Sequence, residues 1–201
     1  MAHKLLHTLA AAGFLALALA PAQAQMFSDG YTFLKAVKDR DGDKVTSLVS
    51  TPGGVLINSR DSVSGEGALH IVTRERDRVW LAFLLSKGAR PDLLDKHGAT
   101  PLSIAAQIGW VEGADLLLKM GAKVDYPNGR GETPLILAVH NRDILMVRLL
   151  LGRGADPKRA DSVAGYSALD YARQDGRSSA LAKALEETAP AAAPAKQGPG
   201  L

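Results

Sequence analysis

Pairs of glycine and alanine recur along this chain at a fixed interval of 33 residues. The pairs are Gly88-Ala89, Gly121-Ala122 and Gly154-Ala155, and two adjacent leucines closely precede each of them. A second series keeps the same interval twice and then lengthens it by one residue: Leu69, Leu102, Leu135 and Leu169. An interval of this size predicts stacked copies of one small supersecondary unit, because a single globular core imposes no such repeat.

The copy at residues 95–127 shows how one unit begins. Gly98 predicts a tight turn, since glycine adopts a positive φ without steric cost. Thr100 and Pro101 then predict a helix start. The threonine oxygen can accept hydrogen bonds from the free N–H groups, and the missing proline N–H is no loss in the first turn. The unit therefore opens with a turn followed by a helix.

Two glycines mark where the helices of this copy end. Gly109 predicts the end of the first helix, and Gly121 predicts the end of a second helix over residues 111–119. Leu102 and Ala105 share one face of the first helix, and small alanines there let the second helix approach closely. The pattern predicts a helix–turn–helix unit.

These motifs resemble those of the ankyrin-repeat family. Residues 98–106 read Gly-Ala-Thr-Pro-Leu-Ser-Ile-Ala-Ala, and residues 131–138 read Gly-Glu-Thr-Pro-Leu-Ile-Leu-Ala, with double leucines and Gly-Ala pairs following in phase. The resemblance implies an all-α solenoid of stacked helix–turn–helix units with short β-turn loops. It predicts a domain over residues 25–188 with about five units, the terminal ones degenerate, as expected of ends that face water. The units are residues 28–61, 62–94, 95–127, 128–160 and 161–188.

Both ends of the chain differ from the repeats. Residues 1–24 combine Lys4, an apolar run and small residues before a cleavage point after Ala24, which is the pattern of a secretory signal peptide. An uncleaved anchor is the alternative, although the apolar run is short for spanning a bilayer. Residues 189–201 are rich in Pro, Ala and Gly and predict a disordered tail. We expect a periplasmic or secreted protein, and the bacterial periplasm is suggested by resemblance to bacterial exports.

The composition limits the chemistry available. A net charge of +3 implies neither a nucleic-acid groove nor a membrane-binding patch, and the absence of cysteine excludes disulfides and thiolate metal sites. His70 occupies the position of a structural histidine in the resembled family. No histidine pair has metal-ligand spacing, and no nucleophile, base and oxyanion site assemble. We expect no catalytic residue, no cofactor and no metal.

Two short motifs have structural interpretations. Asp41-Gly42-Asp43 resembles a fragment of a calcium loop but lacks the remaining oxygen ligands, so we interpret it as a turn before a helix. Gly65-Glu66-Gly67 is too short to cradle a phosphate and predicts a turn between units.

The resemblance also implies a binding face. In ankyrin-like solenoids the turn tips and first helices line a concave groove, where mixed charges and amphipathic groups suit a protein partner. The predicted groove residues are Glu66, Arg74, Glu75, Lys96, His97, Gln107, Ile108, Arg130, Glu132, His140, Asn141, Tyr166 and Gln174. Trp110 is either a binding anchor or a packing residue of the adjacent repeat, and Trp80 is expected in the core.

The sequence therefore predicts an exported, monomeric, non-enzymatic module that binds a protein partner. A periplasmic accessory factor that protects or inhibits an enzyme, for instance in stress defence, is the alternative. No DNA, RNA or membrane partner is expected.

Overall fold

The computed structural model describes residues 20–50, 55–176 and 179–188. Most of the predicted signal peptide and the whole of the predicted tail, residues 1–19 and 189–201, lie outside the described residues. Residues 20–24 belong to the first helix, which continues through the predicted cleavage point.

The described residues form ten α-helices, arranged in five pairs, and one 3-10 helix at Val55–Asn58. The pairs are α1 (Ala20–Lys38) with α2 (Gly42–Val49), α3 (Ala68–Arg74) with α4 (Arg78–Ser86), α5 (Pro101–Gln107) with α6 (Val111–Lys119), α7 (Pro134–His140) with α8 (Ile144–Gly152), and α9 (Ala168–Asp175) with α10 (Ser179–Thr188). Apart from two isolated bridges, Arg60–Gly67 and Ala160–Ser167, these described residues form no β-structure. The all-α prediction is confirmed.

The central pair, α5 and α6, has the boundaries that the sequence predicts. The Thr100 hydroxyl accepts the N–H of Ser103 at 3.1 Å, and Pro101 is the first helical residue. Gly109 follows α5 with a φ of 64°, and Gly121 follows α6 with a φ of 90°. Local capping therefore determines where both helices start and stop.

The helix pairs stack in chain order. Each first helix packs against the next first helix, from α1 through α9, and the second helices α4, α6, α8 and α10 form a parallel row. Buried leucines fill the space between the rows; among them the four leucines of the repeat are at most 6% exposed. Because each unit buries its apolar face only against its neighbours, no unit has a complete core of its own.

The first unit departs from the regular pattern. α1 is 19 residues long, whereas the other first helices have seven or eight, and α2 packs against α1 and the 3-10 helix. A terminal unit has a neighbour on one side only, so its second helix is not bound to the packing of the central second helices.

The two tryptophans behave differently. Trp110 is 5% exposed and its indole lies over Gly113 within its own unit, so it is a packing residue. The prediction that Trp80 lies in the core is wrong: its ring is only partly buried, packs edge-on to Phe83 at 5.5 Å, and lies 5.5 Å from the Arg40 guanidinium. Trp80 faces the irregular first unit, which leaves the ring partly uncovered.

Candidate functional site

The turn tips form a row joined by single main-chain hydrogen bonds. In each case an N–H of one tip donates to a carbonyl of the preceding tip: from Lys96 to Ser64 (3.0 Å), from Gly129 to His97 (2.8 Å) and from Ser162 to Arg130 (3.1 Å). These bonds place the predicted groove residues Lys96, His97 and Arg130 in line along one edge of the stack. All three side chains are exposed.

One side chain in each tip shapes the turn. The Asp95 carboxylate accepts the N–H groups of His97 and Ala99, both at 2.8 Å. The same arrangement recurs at positions spaced by 33 or 34 residues: Asp61, Asp95, Asn128 and Asp161. N–H groups of Ser64 and Val63 lower the pKa of Asp61. We did not predict these turn residues from sequence, although their spacing is visible there.

His70 links two units from inside the protein. Its Nδ1 accepts the Gly67 N–H at 3.0 Å, so the ring proton is on Nε2, which donates to the Ala99 carbonyl at 3.1 Å. The residue is 0% exposed, and burial lowers its pKa. The predicted structural role of His70 is confirmed.

The ends of the first helices present one exposed side chain per unit. Arg74, Gln107, His140 and Gln174 occupy matching positions, 33 or 34 residues apart, and all are exposed. Most of the predicted groove residues are thus exposed, and the surface they form comprises a row of turn tips and a row of first-helix ends.

The N-terminal half of this surface is occupied by ion pairs. Arg74 donates to the Glu66 carboxylate at 2.6 Å, and Arg40 contacts both Glu75 and Asp77, the latter at 2.9 Å. Such exposed pairs contribute little to stability, typically below about 1 kcal/mol. Their charges are compensated within the protein.

Arginine occupies the turn between helices where glycine is the usual residue. Arg40, Arg76 and Arg142 have φ angles of 61°, 53° and 54°, and the third and fifth units have Gly109 and Gly176 there. The left-handed conformation costs a residue with a side chain about 1 to 2 kcal/mol. Contacts of these side chains offset part of that cost, since an exposed ion pair contributes less than about 1 kcal/mol.

Each of these arginines reaches the following unit. The contacts run from Arg40 to Glu75 and Asp77, from Arg76 to the Ile108 carbonyl, and from Arg142 to both oxygens of Asp175 at 2.8 and 2.5 Å. Gly109 has no side chain to reach the following unit. The third and fourth units are instead joined by Asn141 of the fourth unit, whose side-chain amide donates to the Gln107 carbonyl at 2.6 Å. Ile108 and Asn141 of the predicted groove therefore belong to this chain of connections.

An aromatic cluster occupies the C-terminal half. The rings of His140 and Tyr171 meet edge-to-face at 4.4 Å, and those of Tyr166 and Tyr171 at 5.6 Å. The Tyr171 hydroxyl donates to Asp161 at 2.6 Å, which raises the pKa of Tyr171 to about 12. The same bond lowers the pKa of Asp161. The cluster fixes the Tyr171 ring between the two predicted groove residues.

Glu132 does not belong to the exposed groove. It is 6% exposed, accepts a hydrogen bond from the Asn128 amide at 2.9 Å, and faces Arg130 at 3.4 Å. The prediction that Glu132 faces the groove is wrong, because its carboxylate is turned inward to close its own turn.

The remaining motifs are structural. The Asp41 carboxylate caps α2 by accepting the Lys44 N–H at 2.9 Å, and Gly67 precedes α3. Within the described residues no group of three or more His, Asp or Glu side chains could hold a metal ion. Over the same residues, the structure has no helix whose length and hydrophobicity would suffice for crossing a bilayer.

Comparison with known proteins agrees with this geometry. A family model described as ankyrin repeats (3 copies) matches residues 33–128 and 69–161, which together cover more than half of the chain. The chain belongs to the ankyrin-repeat family. Ankyrin repeats generally mediate protein–protein interactions, and the family typically comprises non-enzymatic interaction modules.

Two curated relatives share part of the chain. A putative ankyrin repeat-containing protein of Treponema pallidum (strain Nichols) is 38% identical over 110 residues, covering 54% of this chain and 37% of the relative. The 2-5A-dependent ribonuclease of Homo sapiens is 34% identical over 84 residues, covering 42% of this chain and 11% of the relative. The chain thus spans well under half of each relative.

Proposed function

We propose that this protein is an exported, non-enzymatic interaction module that binds one protein partner through its concave surface. The observation that carries the proposal is the surface of regularly spaced exposed side chains at the turn tips and first-helix ends, supported by a continuous buried stack. A preformed surface loses little ordering entropy on association. The leader over residues 1–24 directs it to the periplasm or outside the cell, where it acts as a monomer without cofactor, metal or nucleic acid.

The turn tips supply the test of this proposal. Replacing Lys96 and Arg130 together by Gln removes two exposed charges of the turn-tip row. The buried hydrophobic residues are unchanged, and the Glu132 carboxylate keeps its hydrogen bond from the Asn128 amide. The matched control replaces Arg78 and Arg148, exposed on the second helices α4 and α8, by Gln. We expect circular dichroism to match for all three proteins, because these changes leave the core intact.

Capture of partners from an extract of the native cell envelope is then compared by mass spectrometry. We expect the tip variant to recover the partner at least about fivefold less efficiently, since each lost contact costs about 0.5 to 1 kcal/mol. The control should capture as much as the unaltered protein. Equal capture by all three proteins would contradict binding through the concave surface.

A further inference from the structure

An open cleft of about 340 Å³ lies between the C-terminal ends of α7 and α9, with α10 behind it. Val139, Ala172 and Leu181 lie at its base, but each is at most 5% exposed, so the Tyr171 ring is the main apolar surface within reach of an occupant. A volume at the lower end of the range for ligand pockets suits a single large side chain.

The charged groups around the cleft are already paired. Arg142 donates two hydrogen bonds to Asp175, at 2.8 and 2.5 Å, across one wall. The Tyr171 hydroxyl donates to Asp161, which leaves the ring as the surface that Tyr171 offers to the cleft. A charged occupant would therefore lose hydration without gaining a counter-charge, which is unfavourable.

Two polar side chains at the rim remain available. His140 and Gln174 occupy matching positions in consecutive units, and both are exposed and line the cleft. In the part of the chain that the structure describes, neither the imidazole nitrogens nor the Gln174 amide makes a hydrogen bond. A glutamine amide offers two donors and an acceptor, which is the complement of a peptide group.

We propose that this cleft receives one uncharged aliphatic or aromatic side chain from an extended segment of the partner protein. The adjacent main-chain peptide groups of that segment hydrogen-bond to Gln174 and His140. The assignment rests on the proposed function and deepens it by stating the chemistry of the partner segment. That segment has one apolar side chain, flanked by main-chain peptide groups that are free to form hydrogen bonds.

Blocked pentapeptides of the sequence Ala-Gly-X-Gly-Ala, with X as Leu, Phe, Asp or Lys, test the assignment. Each peptide is titrated into the isotope-labelled full chain while the backbone amide signals are followed by NMR. We expect the Leu and Phe peptides to shift the signals of Val139, His140 and Gln174, with an affinity at least about tenfold above that of the Asp and Lys peptides.

A pair of variants tests the rim. Changing His140 and Gln174 together to Ala should weaken the Leu peptide by about tenfold, as expected from the loss of two hydrogen bonds. The matched control is Arg78→Ala, exposed on the second helix α4 and away from the cleft; it should leave the affinity unchanged.

Three results would overturn the assignment: equal response to charged and apolar peptides, shifts confined to other parts of the surface, or no shift at millimolar peptide. Its failure is distinguishable from failure of the proposed function. If the Lys96/Arg130 variant loses partner capture while no peptide enters the cleft, the interaction through the concave surface stands and the cleft assignment alone is overturned.

Discussion

His70 shows how a single side chain ties neighbouring units together. Its two ring nitrogens satisfy an N–H of its own unit and a carbonyl at the start of the next, within a site shielded from water. The bond from Gly67 requires the neutral ring, since Nδ1 must accept, whereas Nε2–H can donate to the carbonyl in either protonation state. A charged imidazolium in the same place would lose the Gly67 bond and its hydration together.

Acid should therefore destabilise the protein through His70. Its folded pKa lies below the ordinary 6.5, so the unfolded chain binds a proton first. The contribution of His70 to the free energy of unfolding is constant at pH values above 6.5. It falls as the pH drops from 6.5 toward the folded pKa. We expect His70→Ala to cost about 2 to 4 kcal/mol at neutral pH and to flatten this acid dependence in urea unfolding. The exposed His97→Ala variant is the control; an unchanged acid slope in His70→Ala would contradict the argument.

At the scale of elements, α6 depends on a glycine inside a helix. A Cβ on Gly113 would clash with the Trp110 ring, which is buried; Trp110 occupies the N-cap position of the same helix and makes no side-chain cap hydrogen bond. Glycine normally weakens a helix by about 0.5 to 1 kcal/mol. Here its lack of a side chain is what lets the indole lie flat against α6.

Gly113→Ala should therefore destabilise the protein by about 1 to 2 kcal/mol, because overpacking outweighs the gain in helix propensity. In a Trp110→Ala background the same change should stabilise by about 1 kcal/mol. A double-mutant cycle by urea unfolding measures the difference. Gly42→Ala, with nothing within 4 Å of the added Cβ, is a control that should not destabilise. Additive effects of the two substitutions would refute this packing.

At the scale of the whole molecule, stability is shared between neighbours. The buried hydrophobic residues that the structure describes extend from Phe33 to Leu185, and all of them except Ile104 form one continuous cluster. No described helix pair has to contact a distant one, because the stack closes only on adjacent units.

A chain of residues 25–188 should therefore unfold at nearly the same temperature as the full chain. We expect the midpoint of thermal unfolding to change by less than about 2 °C, since no buried apolar contact of the described cluster is removed. Circular dichroism provides the measurement. A shorter chain of residues 62–188 is the contrast. It lacks the first unit and exposes a buried face, so its midpoint of thermal unfolding should be much lower. A large drop for residues 25–188 would contradict the predicted domain limits.

The helix limits could be predicted because they depend on neighbours along the chain, whereas the role of His70 was expected from the family resemblance. Thr100, Pro101 and Gly109 act on N–H and carbonyl groups within a few residues, and a repeat of 33 places the same signals in every unit. The register likewise predicted which first-helix positions, such as Gln107 and His140, are exposed. Periodicity therefore conveys both the fold and the positions of the exposed side chains that we propose for binding.

The remaining features depend on side-chain direction and on residues distant in sequence. Glu132 has the groove register, yet its carboxylate turns inward to Asn128; Trp80 looks like core, yet the irregular first unit leaves it half-covered. The cleft is formed by residues of α7, α9 and α10 together. The charges at its wall are compensated because Arg142 of the fourth unit contacts Asp175 of the fifth. A linear pattern specifies the stack because stacking is local, whereas the chemistry of its surface arises from contacts between units.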